Sequence, residues 1–344
     1  MSEAGQALRL WLLGQLLAMV VVGGVTVAGL MLLGMQAKTG WDPIMDGDKV
    51  VGVRCDREAG DVFADVVVLA DGVNSTLARK AGFHPEIKAG NVALAVKEIL
   101  FMPEELIQQR FNIKEEEGVV IEMVGKITDG MMGTGFLYTN KESLTIGIGC
   151  MLGDFKGSVN KTSPYALLEK LKQHPSIAPL IQGGEMKEYA AHLIPEGGFY
   201  AIPKVYGNGW LIVGYSGGFV NAVHREGSNL AMTTGRLAAE TVIAAKAAGK
   251  PMSEAVLKSY KTELDKSFVM KDLHKYRDMP EVFHKNNQFF TTYPELVSKA
   301  AHKMFTVDGV DKKTKEREIF SSFRTSRSLT GLVGDAVKLW RAFR

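Results

Sequence analysis

The sequence predicts a mixed α/β (α+β) protein, on three observations. The β-branched run Val66-Val67-Val68-Leu69 ends in Asp71-Gly72 and passes at once into a helical stretch, Thr76 to Arg79. Three runs between Gly118 and Met151 are spaced like consecutive antiparallel strands, and nearly everything after Ser253 reads as helix. At 344 residues the chain can build one large or two medium domains with real cores. Its 23% charged and 46% hydrophobic residues are ordinary for a globular protein, and a net charge of +3 is too small to argue for nucleic acid. Cys55 and Cys150 stand far apart without Cys-x-x-Cys or Cys/His spacing, so this chain alone builds neither a zinc site nor a cysteine-ligated iron–sulfur cluster. They read as two reduced thiols in a cytosolic setting.

The first element, residues 1–40, differs from the rest. Leu10 to Ala37 holds no charged residue and is long enough to cross a hydrocarbon core as a helix. Gly23-Gly24 and Gly29 interrupt it, and Val20 to Val27 is as β-prone as helical, so a membrane span and a buried hydrophobic segment both fit. For a span, Lys38, Lys49, Arg54 and Arg57 outnumber Arg9 and set the body at the cytoplasmic face of the membrane, anchored by residues 10–37.

Next come short strands. Lys49 to Arg54 and Val62 to Ala64 alternate around a turn at Arg57 to Gly60, as a hairpin would, and lead into the strand at Val66. After it, Gly72 lets the backbone turn and approach a ligand closely, Asn74 and Ser75 can cap the new helix, and Asp71 can accept hydrogen bonds from sugar hydroxyls. Strand, turn and helix start suit a dinucleotide, and equally an ordinary βα joint. Pro103 to Arg110 predicts a helix begun by proline, and Ser163 to His174 another, with Ser163 as cap and Pro164 in the first turn. Between them Gly118 to Val124, Met131 to Tyr138 and Ser143 to Met151 predict antiparallel strands. Ile99, Leu100, Phe101 and Met102 there suit either a core or an apolar surface.

A second glycine-rich bend follows the strand Leu211 to Val213: Gly214-Tyr215-Ser216-Gly217-Gly218-Phe219-Val220-Asn221. The chain then enters a small-residue helix from Ser228 or Asn229 to Ala248, whose Ala231, Thr233, Gly235, Ala238, Ala239 and Ala244 can pack closely on a sheet. The glycines make room either for a large flat cofactor or for a tight strand-to-helix joint. No Ser/His/Asp or Cys/His constellation stands out, and no catalytic side chain is assigned.

Together, Asp71-Gly72-x-Asn74-Ser75 and Gly214-x-x-Gly217-Gly218-Phe219-x-Asn221 resemble the two later FAD fingerprints of the flavoproteins that include aromatic hydroxylases and geranylgeranyl reductases. The wording from His192-Leu193-Ile194-Pro195-Glu196-Gly197-Gly198 through Ile202-Pro203-Lys204 to His224-Arg225-Glu226-Gly227-Ser228-Asn229-Leu230-Ala231 is similar to the FixC-type relatives of electron-transfer-flavoprotein:quinone oxidoreductase (ETF-QO), from about Lys49 onward. The resemblance implies an incomplete FAD-binding three-layer domain of the aromatic-hydroxylase type in residues 41–90 and 190–250, an inserted antiparallel-sheet substrate or quinone domain in 91–189, and a helical C-terminal region in 251–344. It implies Asp71, Gly72 and Ser75 near the adenosine and pyrophosphate of FAD, Gly214, Gly217, Gly218 and Asn221 along the ribityl chain and flavin, and Gly227 and Asn229 at the flavin edge, with His224 and Arg225 beside reduced flavin. The partners it implies are an electron-transfer flavoprotein and a quinone or ferredoxin-like protein, any iron–sulfur step belonging to a separate subunit.

Two features depart from the family pattern. Tyr215 stands where an acidic residue usually follows the strand glycine, and the N-terminal Gly-x-Gly-x-x-Gly unit that receives the pyrophosphate is not found. Two alternatives therefore stand beside the electron-transfer expectation: a geranylgeranyl-reductase-like flavoprotein reducing isoprenoid double bonds, and a truncated, flavin-free membrane-anchored remnant.

Overall fold

The structure, a computed structural model, describes residues 42–55, 60–157 and 162–344. The apolar run Leu10 to Ala37 lies outside the described residues, as does most of the turn at Arg57 to Gly60. Among the described residues no helix is long and apolar enough to cross a membrane. The chain divides into two compact units. Among the described residues, those from 42 to Ile87 join Pro195–Arg277, and Lys88–Ile194 joins Asp278–Arg344.

The first unit opens with Asp42–Asp46 (β1), Lys49–Arg54 (β2) and Val62–Phe63 (β3), an antiparallel sheet in the order β1-β2-β3. Val50 and Val53 of β2 both enter the core beside Val62, because the β1–β2 register shifts between Ile44 and Met45 and the bulge at Val51 resets the alternation. Val67–Leu69 (β4) follows and ends at the Asp71-Gly72 bend, which opens into a short helix, Thr76–Lys80 (α1).

The second unit begins with Val92–Phe101 (β5), a strand the sequence pattern does not mark, and Glu104–Phe111 (α2), then Val120–Met123 (β6), Gly133–Thr139 (β7) and Ser143–Met151 (β8), the three strands that spacing predicts. Leu152–Gly157 (α3), Pro164–Lys172 (α4), Ala178–Ile181 (α5) and Glu185–Pro195 (β9) complete this stretch. The sheet runs β6-β7-β8-β5-β9, with Val96 opposite Ile148 and Leu137 opposite Ile146. α4 starts as expected: Ser163 Oγ accepts from Ala166 N at 3.1 Å and Pro164 occupies the first turn. Its Leu167, Leu168 and Leu171 are fully buried with Leu144, Ile146 and Ile148 in one core. Glu98 of β5, also buried, is satisfied by Lys172 at 2.9 Å. In the run noted on β5, Leu100 and Met102 belong to this core and Phe101 is exposed.

The chain returns to the first unit with Tyr206–Gly207 (β10) and Trp210–Ile212 (β11), then Ser228–Ala247 (α6), Glu254–Lys266 (α7) and Phe268–Lys275 (α8). β11 lies between β10, antiparallel, and β4, parallel, with Leu211 opposite Val68. α6 buries Leu230, Thr234, Leu237, Ala238, Thr241, Val242 and Ala245, a helical-period stripe. Ala244, expected against the sheet, faces solvent, because its place on the helix lies off the stripe that Leu237, Ala238, Thr241, Val242 and Ala245 bury. Tyr260 of α7 is fully buried and donates to Ile212 O at 3.0 Å. The helices expected after Ser253 thus divide, α7 and α8 in the first unit and Met279–Lys285 (α9), Thr292–Phe305 (α10), Lys312–Ser326 (α11) and Leu329–Ala342 (α12) in the second.

Candidate cofactor site

The parallel pairing of β4 with β11 carries the two glycine bends out of the same sheet edge, one after each strand. Polar contacts then join them, among them Ser216 Oγ to Gly72 O at 3.1 Å. Ser216 Oγ donates to Asp71 Oδ1 at 2.9 Å, and Ser75 Oγ donates to Ser216 O at 2.9 Å. Val213 N donates to Leu69 O at 3.0 Å where the strands end. Ser75 and Ser216 are both fully buried.

Asp71 carries the geometry of the first bend. Its Oδ2 accepts from Leu77 N at 2.9 Å and so caps α1, while Oδ1 holds Ser216. Ser75, expected to cap α1, makes no side-chain cap bond. The helix finds its oxygen in Asp71 instead, and Ser75, with φ 44 and ψ 43, turns its hydroxyl to the other bend. Gly72 has φ +78, and a methyl group placed on it would meet nothing within 4 Å.

The second bend is a single 3₁₀ turn from Gly214 to Gly217 that ends at Gly218. Gly214 (φ +58) donates its N–H to Thr234 Oγ1 of α6 at 3.0 Å. The glycines here serve different purposes. A Cβ on Gly217 would strike the Phe219 ring at 2.6 Å, and one on Gly227 would strike the Tyr215 hydroxyl at 2.6 Å, so these two make room for the chain's own aromatic rings. Gly218 (φ +73) has nothing within 4 Å of its Cβ position, like Gly72. Asn221 is buried and its Oδ1 accepts from Val223 N and His224 N, which closes its own loop. Asn229, at the exposed start of α6, accepts from Leu230 N at 2.9 Å.

Around this site Tyr215 is pushed up from its usual phenol range by burial and by the nearby Glu196 carboxyl. Burial in turn raises the partly buried Glu196 to about 7, against the pull of Arg225. His224 Nε2 lies 2.8 Å from the Tyr276 hydroxyl, with the two rings tilted against one another. Among the described residues no cluster of His, Cys, Asp or Glu could hold a metal ion, and Cys55 and Cys150 are buried thiols not joined in a disulfide. Sequence reasoning passed over Ser216, Thr234 and Glu196. Ser216 sat inside the quoted bend, but only the three-dimensional pairing with Asp71 separates it from the neighbouring small residues.

Comparison with known proteins decides the family. The chain is 64% identical to Protein FixC of Azotobacter vinelandii over 305 residues, covering 89% of this chain and 70% of that protein. The chain belongs to the FixC family. Protein FixC of Bradyrhizobium diazoefficiens is 54% identical over 300 residues, 87% of this chain and 68% of the relative. A probable electron transfer flavoprotein-quinone oxidoreductase, YdiS of Escherichia coli, is 40% identical over 299 residues, 86% of this chain and 68% of that protein. Residues 279–344 match the ETF-QO/FixC family C-terminal domain, the stretch that forms α9 to α12. The fold of this FixC-family chain is shared with a geranylgeranyl bacteriochlorophyll reductase-like protein of Thermoplasma acidophilum, at a TM-score of 0.57 and 16% identity over 83% of this chain and 65% of that one. It is shared also with a flavin-dependent brominase, at 0.52 and 18% over 84% and 71%. The expectation of a mixed α/β flavoprotein-type fold stands.

Proposed function

We propose that the chain is an FAD-dependent oxidoreductase that takes electrons from an electron-transfer flavoprotein and passes them to a quinone or a ferredoxin-like acceptor. The observation that carries this reading is the joining of the Asp71-Gly72 and Gly214–Gly218 bends through Ser216, with left-handed, unobstructed glycines on both. The name of the Escherichia coli relative supports the donor and the quinone.

The residues fit a dinucleotide on a local test. At Gly72 and Gly218 the backbone takes a conformation that side chains disfavour, in open space, so the glycines leave an accessible backbone surface at both bends. In this reading Gly72 and Gly218 face the ligand directly, and Gly214, Gly217 and Asn221 shape the bend beneath it. Asp71 and Ser75 hold the bends, while Gly227 and Asn229 begin α6. When bound, FAD supplies the redox chemistry through its isoalloxazine ring. Tyr215, in place of the usual acidic residue, offers a hydroxyl that burial keeps protonated. Glu196 beside it holds a proton up to near-neutral pH. Placement at the cytoplasmic membrane face belongs to the same proposal and rests on the apolar run Leu10–Ala37 with its cation-rich flank.

The test is anaerobic reduction of the purified, FAD-supplemented protein by a reduced electron-transfer flavoprotein, followed by a quinone analogue. Flavin reduction and reoxidation support the reading. Failure of both steps alongside saturation of a prenyl chain would move the protein to the isoprenoid-reducing class, and a colourless protein that takes up no added FAD would overturn both.

A further inference from the structure

Strand pairing alone does not fix the two bends. β4 and β11 are held in register by three residue pairs, and the apolar side chains of Val67, Leu69, Leu211, Ile212 and Phe219 pack beneath them. Beyond the strand ends, the sequences Gly72–Ser75 and Gly214–Gly218 are linked by hydroxyl groups. Ser75 Oγ reaches Ser216 O at 2.9 Å, and Ser216 Oγ reaches Asp71 Oδ1 at 2.9 Å with Gly72 O at 3.1 Å. The exchange is reciprocal: each serine donates from its side chain into the opposite bend. Both are fully buried, so water cannot replace either bond.

Ser75 gives a second, independent sign. It is a non-glycine residue held at φ 44 and ψ 43, a conformation that costs an ordinary side chain about 1–2 kcal/mol. Glycine would adopt it freely, yet would lack the hydroxyl. A serine at this place makes sense where the hydroxyl is needed on the far bend.

We propose that Ser75 and Ser216 are positioning residues that form a two-way clamp setting the spacing between the Gly72 and Gly218 backbones, and so the affinity for FAD. The inference rests on the FAD reading above. Asp71 is the shared anchor, since the same carboxylate caps α1 and receives Ser216. Loss of the clamp leaves the sheet and its apolar core intact but lets the bends drift, so ligand affinity changes more than folding does.

The test uses the full chain. FAD binding is followed by quenching of flavin fluorescence, folding by urea denaturation, and bend mobility by amide exchange at Leu77 and Gly218 in flavin-free protein. Ser216→Ala is expected to weaken FAD at least tenfold, with faster exchange at Leu77 and a fully folded protein before urea is added. Ser75→Gly, which relieves the backbone and drops only the hydroxyl, is expected to weaken FAD similarly. The double variant should be no weaker than either single one, the mark of one shared clamp. Wild-type FAD binding with both variants within twofold of it overturns the clamp alone, as does a loss of affinity that only tracks the unfolded fraction. A wild-type chain that binds no FAD overturns the FAD reading and the clamp's role with it.

Discussion

Ser216 Oγ donates to Asp71 Oδ1 at 2.9 Å across 145 residues of chain, and this contact brings together the two stretches that look alike only as separate motifs. The cause is topological. β4 and β11 are parallel neighbours, so whatever follows each strand emerges at the same edge of the sheet, where open α/β sheets place their ligands.

Asp71 holds this edge together, and its replacement tests how much. Asp71→Ala removes the cap of α1, a loss of about 0.5–2 kcal/mol, and leaves the buried Ser216 hydroxyl only the neutral Gly72 O at 3.1 Å as acceptor, about 0.5–1.5 kcal/mol more. Urea denaturation should show the sum of these ranges, while Asp71→Asn, which keeps one acceptor oxygen, should show less than half of it. Equal stability of all three proteins would refute the role of the carboxylate.

The glycines separate by their neighbours. Gly218→Ala and Gly249→Ala both force alanine into left-handed backbone with open space beyond, φ +73 and +62, so each should lose about 1–2 kcal/mol of stability. Gly249 follows the far end of α6, and only Gly218→Ala should also weaken FAD. Gly227→Ala should be destabilised because its Cβ meets the Tyr215 ring, and Tyr215→Ala should relieve much of that loss in the double variant. Additive losses would show that the ring and the glycine are not in contact.

Glu196 makes stability fall with rising pH. Burial raises its carboxyl from 4.5 in the unfolded chain to about 7 in the folded one, so the native state binds the extra proton between these values. Above pH 7 the folded protein carries the full cost of an ionised, poorly solvated carboxylate, up to about 3 kcal/mol for a shift of this size. Glu196→Gln should therefore match wild type near pH 4 and exceed it at pH 8. A constant difference across that range would place Glu196 in water.

Asp335 behaves in the opposite sense. Burial works to raise it, but bonds from Arg327, Tyr293, Gln288 and Lys338 hold its carboxyl well below the usual carboxylate range. Its stabilisation of the α9–α12 region is complete above the unfolded value of 3.8 and is lost as acid titrates the folded group. Asp335→Asn should cost about 2–4 kcal/mol at pH 7, somewhat less than a fully buried pair because Arg327 is 35% exposed. The gap from wild type should narrow below pH 4, as thermal melts at both pH values would show.

Local rules made much of this molecule legible. Alternation gave the β2–β3 hairpin and the middle strands, Ser163 with Pro164 announced α4, and the apolar run before Asp71 announced β4. What the sequence could not show was which partner each small residue meets. Gly217 and Gly227 look like ligand glycines, yet they accommodate Phe219 and Tyr215, and Ser75 looks like a cap, yet it reaches the other bend. These assignments depend on contacts between segments far apart in the chain, as does the division of the late helices between two units.

Equilibrium titration of the purified chain with FAD, read by flavin fluorescence with Gly218→Ala and Gly249→Ala in parallel, tests the shared site most directly. Convergence of the two bends predicts saturable one-to-one binding that Gly218→Ala weakens at least tenfold and Gly249→Ala leaves unchanged. Absent binding, or binding equally strong in both variants, would contradict it.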